Sequence, residues 1–293
     1  MANFIKRHLY GKPDQRDYTE ADLPANRIQL FRQVLGVRKG SLTGLNLLYL
    51  LVWIPAILWT FLNAAQFLVA NVPTPEEVRQ VAFSWLLLLV PMIAVTGPFN
   101  AGVSLVMCRW ARDEHSFPYS DFWSGVKENW KQGLLFGAAD GLVPLLFYLC
   151  FSFYMGMAER SPAFLLPLAV SVIAAVLWAV AAPIVPALIA SYRQSFRGIL
   201  RNALLMTLAE LPRSIAVRLI TLAVPALSVL GMLFFPGAFL WITGVASLLY
   251  TLFLLALNRL IWASYANFLG EKYLNPKIEG ARTNIGLRPK DAP

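Results

Sequence analysis

Asp140 is the residue of this sequence best placed to do chemistry. It lies about nine residues inside an apolar stretch that opens at Gln132, roughly 13 Å deep if the stretch is helical. A carboxylate at that depth is costly unless paired, hydrated or protonated, and such acids often mark ion or substrate paths. A lone acid is weak evidence for such a path, and the favoured reading is a hydrogen bond or salt bridge that fixes helix packing, with Arg109 or Arg259 reaching toward it from span ends. A second polar group is Thr96, Asn100 and Ser104, spaced i, i+4 and i+8, which on a helix form one stripe. That stripe could line a solute cavity or serve as hydrogen-bonding glue between helices. It overlaps a cluster of helix breakers, Pro91, Gly97 and Pro98. The two prolines lack the N–H a helix needs, and the glycine allows a bend or a close backbone approach. Freed backbone groups at such a break could meet a bound solute, as in transporters with discontinuous helices, or the break could be a packing kink.

Other chemistries are poorly supported. His8 and His115 lie in polar connections and do not share metal-ligand spacing with cysteine or carboxylate. Cys108 and Cys150 sit in or at the edges of apolar helices and read as small buried hydrophobes. There is no glycine-rich phosphate loop ending in Lys-Ser/Thr, so the chain is not itself an ATPase, and no pair of serines or aspartates suggests intramembrane proteolysis. No catalytic residue, cofactor or metal is expected, and the protein reads as non-enzymatic.

The elements that position these residues are membrane helices. The 293 residues are 58% hydrophobic and 14% charged, against about 25% charged in soluble domains. From Gln80 to Cys108 no residue is charged over 29 residues, about 43 Å of helix, more than a bilayer core of roughly 30 Å requires. The fold class is all-α and polytopic, with six spans at about 42–68, 81–108, 132–157, 164–191, 214–234 and 239–262. The second is kinked or discontinuous. The fifth and sixth are divided by Phe235-Pro236-Gly237, because forty charge-free residues, Leu219 to Asn258, are too many for one crossing. Thr74-Pro75-Glu76-Glu77 marks a helix start. The third span opens with Gly133, Gly137 and Gly141, a small-residue ridge that permits close helix packing. Asn46 lies near one end of the first span, where headgroups could solvate it.

A basic arm, 1–41, precedes this domain of 42–265, and a polar tail, 266–293, expected to be extended or loosely packed, follows it. The first forty residues contain no apolar signal region, so the first span is expected to be its own insertion signal. Charge placement supports the count of spans. Of 25 Lys and Arg, 23 fall in the arm, in alternate connections and from Arg259 at the end of the last span to the C-terminus, and only Arg79 and Arg160 fall on the other side. The bias predicts both termini in the cytoplasm of the cell whose inner membrane holds the protein. It also explains the net charge of +9 without nucleic acid, the partner instead being the lipid bilayer. The connections 109–131 and 192–218 are amphipathic and predict surface helices before the third and fifth spans. Trp123, Trp130 and Phe196 are candidate anchors there, for a protein partner or for the lipid interface. Trp123-Ser-Gly-Val-Lys-Glu-Asn129 and Phe196-Arg-Gly-Ile-Leu-Arg-Asn202 echo each other, which suggests two related units. Segment 26–35 could form a short interfacial helix.

Several short motifs bear a family likeness. They are Asn46-Leu-Leu-Tyr49, Pro91 with Thr96-Gly97-Pro98, Asp121-Phe122-Trp123, Lys127-Glu-Asn-Trp-Lys-Gln132, Asn202-Ala-Leu-Leu205, Leu211-Pro-Arg213 and Lys272-Tyr-Leu-Asn-Pro276. From about residue 40 onward the chain resembles the YesL-like integral membrane proteins. That resemblance implies a family of unknown function, commonly encoded near carbohydrate ABC transporters and polysaccharide-degrading enzymes in Gram-positive bacteria. It implies no catalytic or substrate residues. The function expected is an accessory or partner subunit of carbohydrate ABC uptake, associated with ABC permease subunits. The alternatives are a stand-alone carrier or channel for a small solute, and a sensor or scaffold that binds a partner through the arm, which family members tend to lack. Substrate, partner and oligomeric state are left open.

Overall fold

The structure, a computed structural model, describes residues 23–69 and 74–288. Most of the basic arm, including Lys6, Arg7 and His8, and the last five residues lie outside that range. The chain is an all-helical polytopic membrane protein, with six segments long and apolar enough to cross a bilayer. A short helix α1 (Arg27–Val37) leads into α2 (Lys39–Val69), α3 (Pro75–Ala111) and α4 (Pro118–Ala158), the first three spans. The fourth is α5 (Leu165–Ala181), a 3₁₀ turn at Ala182–Ile184, and α6 (Val185–Ser191). Pro183 and Pro186 account for the change of pitch, since neither can donate to the helix behind it. Helix α7 (Phe196–Ala209) precedes the fifth span, α8 (Leu211–Phe234). The sixth is α9 (Phe239–Leu249), a π-helical turn at Tyr250–Leu254, and α10 (Leu255–Tyr273).

Helix α3 is central and packs against α2, α4, α6 and α10. It begins where the sequence predicts: Thr74 caps it, and Glu77 returns the bond to the Thr74 backbone. It is helical through Pro91, Gly97 and Pro98, so the second span is one continuous helix rather than two halves. The reason is the neighbouring α4. Pro98 frees the carbonyl of Ala94, and a Cβ built on Gly137 of α4 would stand 2.6 Å from that oxygen. A hydrogen on the Gly137 Cα therefore points at the freed oxygen, a weak C–H···O contact that replaces part of the lost bond. Along the same seam Gly133 would strike Pro98 Cα at 2.7 Å and Gly141 would meet Val90 Cα at 3.0 Å. Gly97 would collide with the Gly133 carbonyl, and Gly125 would meet Gly102 Cα at 2.9 Å. The two helices touch backbone to backbone from Val90 to Gly102.

The polar connections fold differently from each other. Residues 118–131 form no separate surface helix: α4 runs unbroken from Pro118, because nothing before Pro144 interrupts it. In the second connection α7 is separate, since it ends at Glu210 and Pro212 starts α8 anew. The 26–35 segment does form a helix, α1, but Leu30 and Val34 are buried in the protein core rather than facing outward. The tail is folded back instead of extended. Arg288 N–H donates to Pro24 O at 3.0 Å, and Arg27 bonds both Glu271 and the carbonyl of Ile285. Asn46 is fully buried, not solvated by headgroups. Its amide donates to the carbonyls of Tyr250 (2.9 Å) and Thr251 (2.8 Å) and accepts from Ala256 N–H (2.9 Å). One side chain thereby serves the backbone groups of the π turn, which have no water to turn to within a bilayer.

Buried residues concentrate at the basic end of the bundle, in the second half of α3, in α6 and in α10. At the opposite end large apolar side chains such as Phe61, Leu166, Leu233 and Trp241 are exposed. A soluble protein rarely shows so much apolar surface, whereas lipid accepts it. The basic end is tied together by ion pairs. Arg109 meets Asp121 at 2.7 Å, and Asp121 also accepts from Ser116 Oγ and Phe117 N–H, starting α4. Glu210, at the α7–α8 corner, accepts from Lys272 and from Tyr273 Oη (3.0 Å) and pairs with Arg213 at 2.7 Å.

Two outcomes follow. Gly133→Ala, which forces Pro98 and the whole of α3 to move, is expected to destabilise the detergent-solubilised protein by about 1–3 kcal/mol. Gly156→Ala, whose Cβ would meet nothing within 4 Å, should be neutral or gain up to about 1 kcal/mol in thermal unfolding. The hydrogen bond from Lys272, then that from Tyr273, holds the Glu210 carboxyl below its ordinary value of 4.5. A carboxyl lowered in the folded state contributes fully above that value and loses its contribution as pH falls through the lowered one. Unfolding followed across acid pH should therefore show a destabilisation below about pH 4.5 that Glu210→Gln diminishes, the variant already being less stable at neutral pH.

Candidate functional site

Between the helices at the level of Asp140 lies a cavity of about 250 Å³, far larger than the ~15 Å³ that admits one water. Every span but α3 contributes to its wall. Tyr49 and Trp53 come from α2, Asp140 from α4, Arg218 from α8, and Tyr250, Asn258, Arg259 and Trp262 from the sixth span; Ala179 of α5 and the Pro183 turn close it. The three charged residues are one carboxylate and two guanidinium groups.

Each is held differently. Asp140 accepts from the indole N–H of Trp178 at 3.0 Å, and that indole is stacked on Phe136 with centroids 6.4 Å apart. Arg259 donates its Nε to Tyr49 Oη at 3.1 Å, and that hydroxyl in turn donates to Asn100 Oδ1 of α3. This chain of bonds fixes the direction of the Arg259 side chain through two fully enclosed residues. Arg218 has no comparable support, and its buried Nε finds no acceptor among the described residues. The indole N–H of Trp53, also in the wall, is likewise buried without an acceptor. No ion pair within 4.0 Å joins Asp140 to either arginine among the described residues.

Of the candidate lining residues, Asp140 reaches the cavity and the stripe does not. Thr96, Asn100 and Ser104 are 1%, 1% and 2% exposed, enclosed between helices. Thr96 donates back to Ile93 O at 2.8 Å, and Asn100 meets the site only through Tyr49. Pro91, Gly97 and Pro98 lie on the α4 seam, together with Gly133, Gly137 and Gly141, and none borders the cavity. Arg109 is engaged by Asp121, whereas Arg259 does share the cavity with Asp140.

Among the anchor candidates, Trp123 and Trp130 are 46% and 50% exposed at the basic end, and Phe196 packs partly against the core. Trp130 borders a wide groove of about 900 Å³ between α4 and the α6–α7 turn, with Lys131, Arg193 and Glu128 on its rim. The two echoed segments are not equivalent. Asn129 donates to Gly125 O in its own helix, whereas Asn202 donates to Gln194 Oε1 of the turn.

Sequence reasoning missed Arg218, Tyr49, Trp178 and Asn258 as parts of the site. A signal for the first was present. The charge-free run from Leu219 to Asn258 folds as a hairpin, so the arginines that bound it, Arg218 and Arg259, must return to one level. The other three are ordinary membrane-helix residues until the helices are packed.

Among the described residues no group of three or more His, Cys, Asp or Glu could hold a metal ion. Residues 42–151, which carry α2, α3 and most of α4, match a family model described as "Protein of unknown function, DUF624". No curated protein and no solved structure matches the chain.

Proposed function

From the premise that residues 42–151 belong to the DUF624, or YesL-like, family, we propose that this is a non-enzymatic accessory membrane subunit of carbohydrate ABC uptake. The family resemblance supplies the substrate class and the ABC partner. What supports a partner role at the basic end is the exposed Trp130 beside the groove rimmed by Lys131, Arg193 and Glu128. Exposed aromatic and arginine side chains around a concavity are the composition of interface hot spots. On this reading the basic end is cytoplasmic, as the placement of Lys and Arg suggests, and meets a permease or its ATPase there.

A second reading, a stand-alone carrier of a small solute, draws on the cavity at Asp140, since charged residues inside membrane bundles commonly line substrate paths.

The two separate in one purification. The intact protein, taken from its native membranes in mild detergent, is expected to bring down an ABC permease in stable ratio, and Trp130→Ala with Arg193→Glu to weaken that association. Recovery of the chain without other proteins, coupled with solute uptake by liposomes containing it, would replace the first reading with the second.

A further inference from the structure

The cavity at Asp140 is short of acceptors. Among the described residues its wall carries two arginines against one carboxylate, with no other Asp, Glu, Lys or His, so it holds one positive charge in excess. Its unmet groups are donors too: the Nε of Arg218 and the indole N–H of Trp53 are buried without acceptors among the described residues. The one carboxylate does not cancel this excess: Asp140 accepts from Trp178 through one oxygen and, among the described residues, lies within 4.0 Å of neither guanidinium. Uncompensated charge in a low-dielectric interior is expensive, and it persists where something neutralises it.

We propose that this cavity is a binding site for an oxyanion, a phosphate group held between Arg218 and Arg259. Two guanidinium groups present planar sets of N–H donors suited to such oxygens, and they reach it from facing helices, α8 and α10. Arg259 is the pre-positioned partner, aimed by Tyr49 and through it by Asn100. Arg218 is the free one, which gains its acceptor when the anion arrives. Trp53, Trp262 and Tyr250 supply flat apolar surface for whatever the anionic group is attached to. Asp140 lowers the affinity of the site and sets it to bind reversibly. The same chemistry is offered by a lipid phosphate entering from the bilayer and by a soluble anion entering from water.

The site uses the cavity of the carrier reading but needs neither transport nor a partner, so binding and those activities fail separately. The test is direct binding to the full-length protein in non-ionic detergent, with inorganic phosphate in one arm and phosphatidylglycerol in mixed micelles in the other. Saturable binding of one oxyanion per chain in either arm is expected, and the arm that saturates names the source. Arg218→Gln and Arg259→Gln should each weaken it about tenfold or more. Asp140→Asn should tighten it several-fold, a gain that a purely structural role for the cavity would not give. If neither probe saturates on the unmodified protein, the proposal is wrong, whatever the variants do. It is equally wrong if binding survives both arginine substitutions, or if Asp140→Asn leaves a measured affinity unchanged.

Discussion

The structure depends on the contact of α3 with α4 through bare backbone. Glycines 97 and 102 on one helix and 125, 133, 137 and 141 on the other let backbone meet backbone from Val90 to Gly102, with a few side chains such as Leu105 and Val126 filling in beside them. Lipid tails are as apolar as leucine, so helices in a bilayer gain little by hiding apolar surface from them. Close van der Waals contact is what remains, and small residues maximise it. The same contact resolves the difficulty of Pro98, whose missing N–H would otherwise leave the Ala94 carbonyl unanswered in hydrocarbon. Pro98, which seems to break the second span, is tolerated because the third span lies so close.

With that pair fixed, the polar groups of the bundle fall into place around it. Asn100 on α3 holds Tyr49 of α2, and Tyr49 holds Arg259 of α10. Asn46, one turn earlier on α2, stitches the π turn that leads into α10. Two buried asparagines thus tie α2, α3 and α10 together, Asn46 across α2 and the sixth span and Asn100 from α3 through Tyr49. The cavity opens on the far side of this network, where α4, α5 and α8 bring Asp140, Trp178 and Arg218. The fold is tight on one face of α2 and α10 and open on the other.

Much of this architecture is legible in the sequence because it follows from length and charge. Six apolar segments, the capped start at Thr74 and the close packing implied by Gly133, Gly137 and Gly141 need only local rules. What is not legible depends on who stands opposite whom. Spacing puts Thr96, Asn100 and Ser104 on one stripe, but only packing turns that stripe toward other helices and away from the cavity. Asn46 looks like a headgroup ligand until the π turn of a distant segment is laid beside it. Residues 118–131 read as a surface helix on their own amphipathic pattern, and no local signal says that α4 continues through them. Asp140 stands out in sequence because a charge in a span is costly wherever it points. Arg218 is obscured by the basic connection before it.

The central claim is that Asp140 and Arg218 face one another across a single cavity inside the membrane bundle. Cysteine cross-linking in native membranes tests it most directly. Asp140→Cys and Arg218→Cys would be combined in a chain whose Cys108 and Cys150 are replaced, with a protease site placed in the exposed Glu159–Arg160 turn between them. The account predicts that a short bifunctional thiol reagent keeps the two cleaved halves together on a gel. It also predicts that pairing Asp140→Cys with a cysteine at outward-facing Leu219 does not. Halves that separate in the first case, or join equally well in the second, would contradict it.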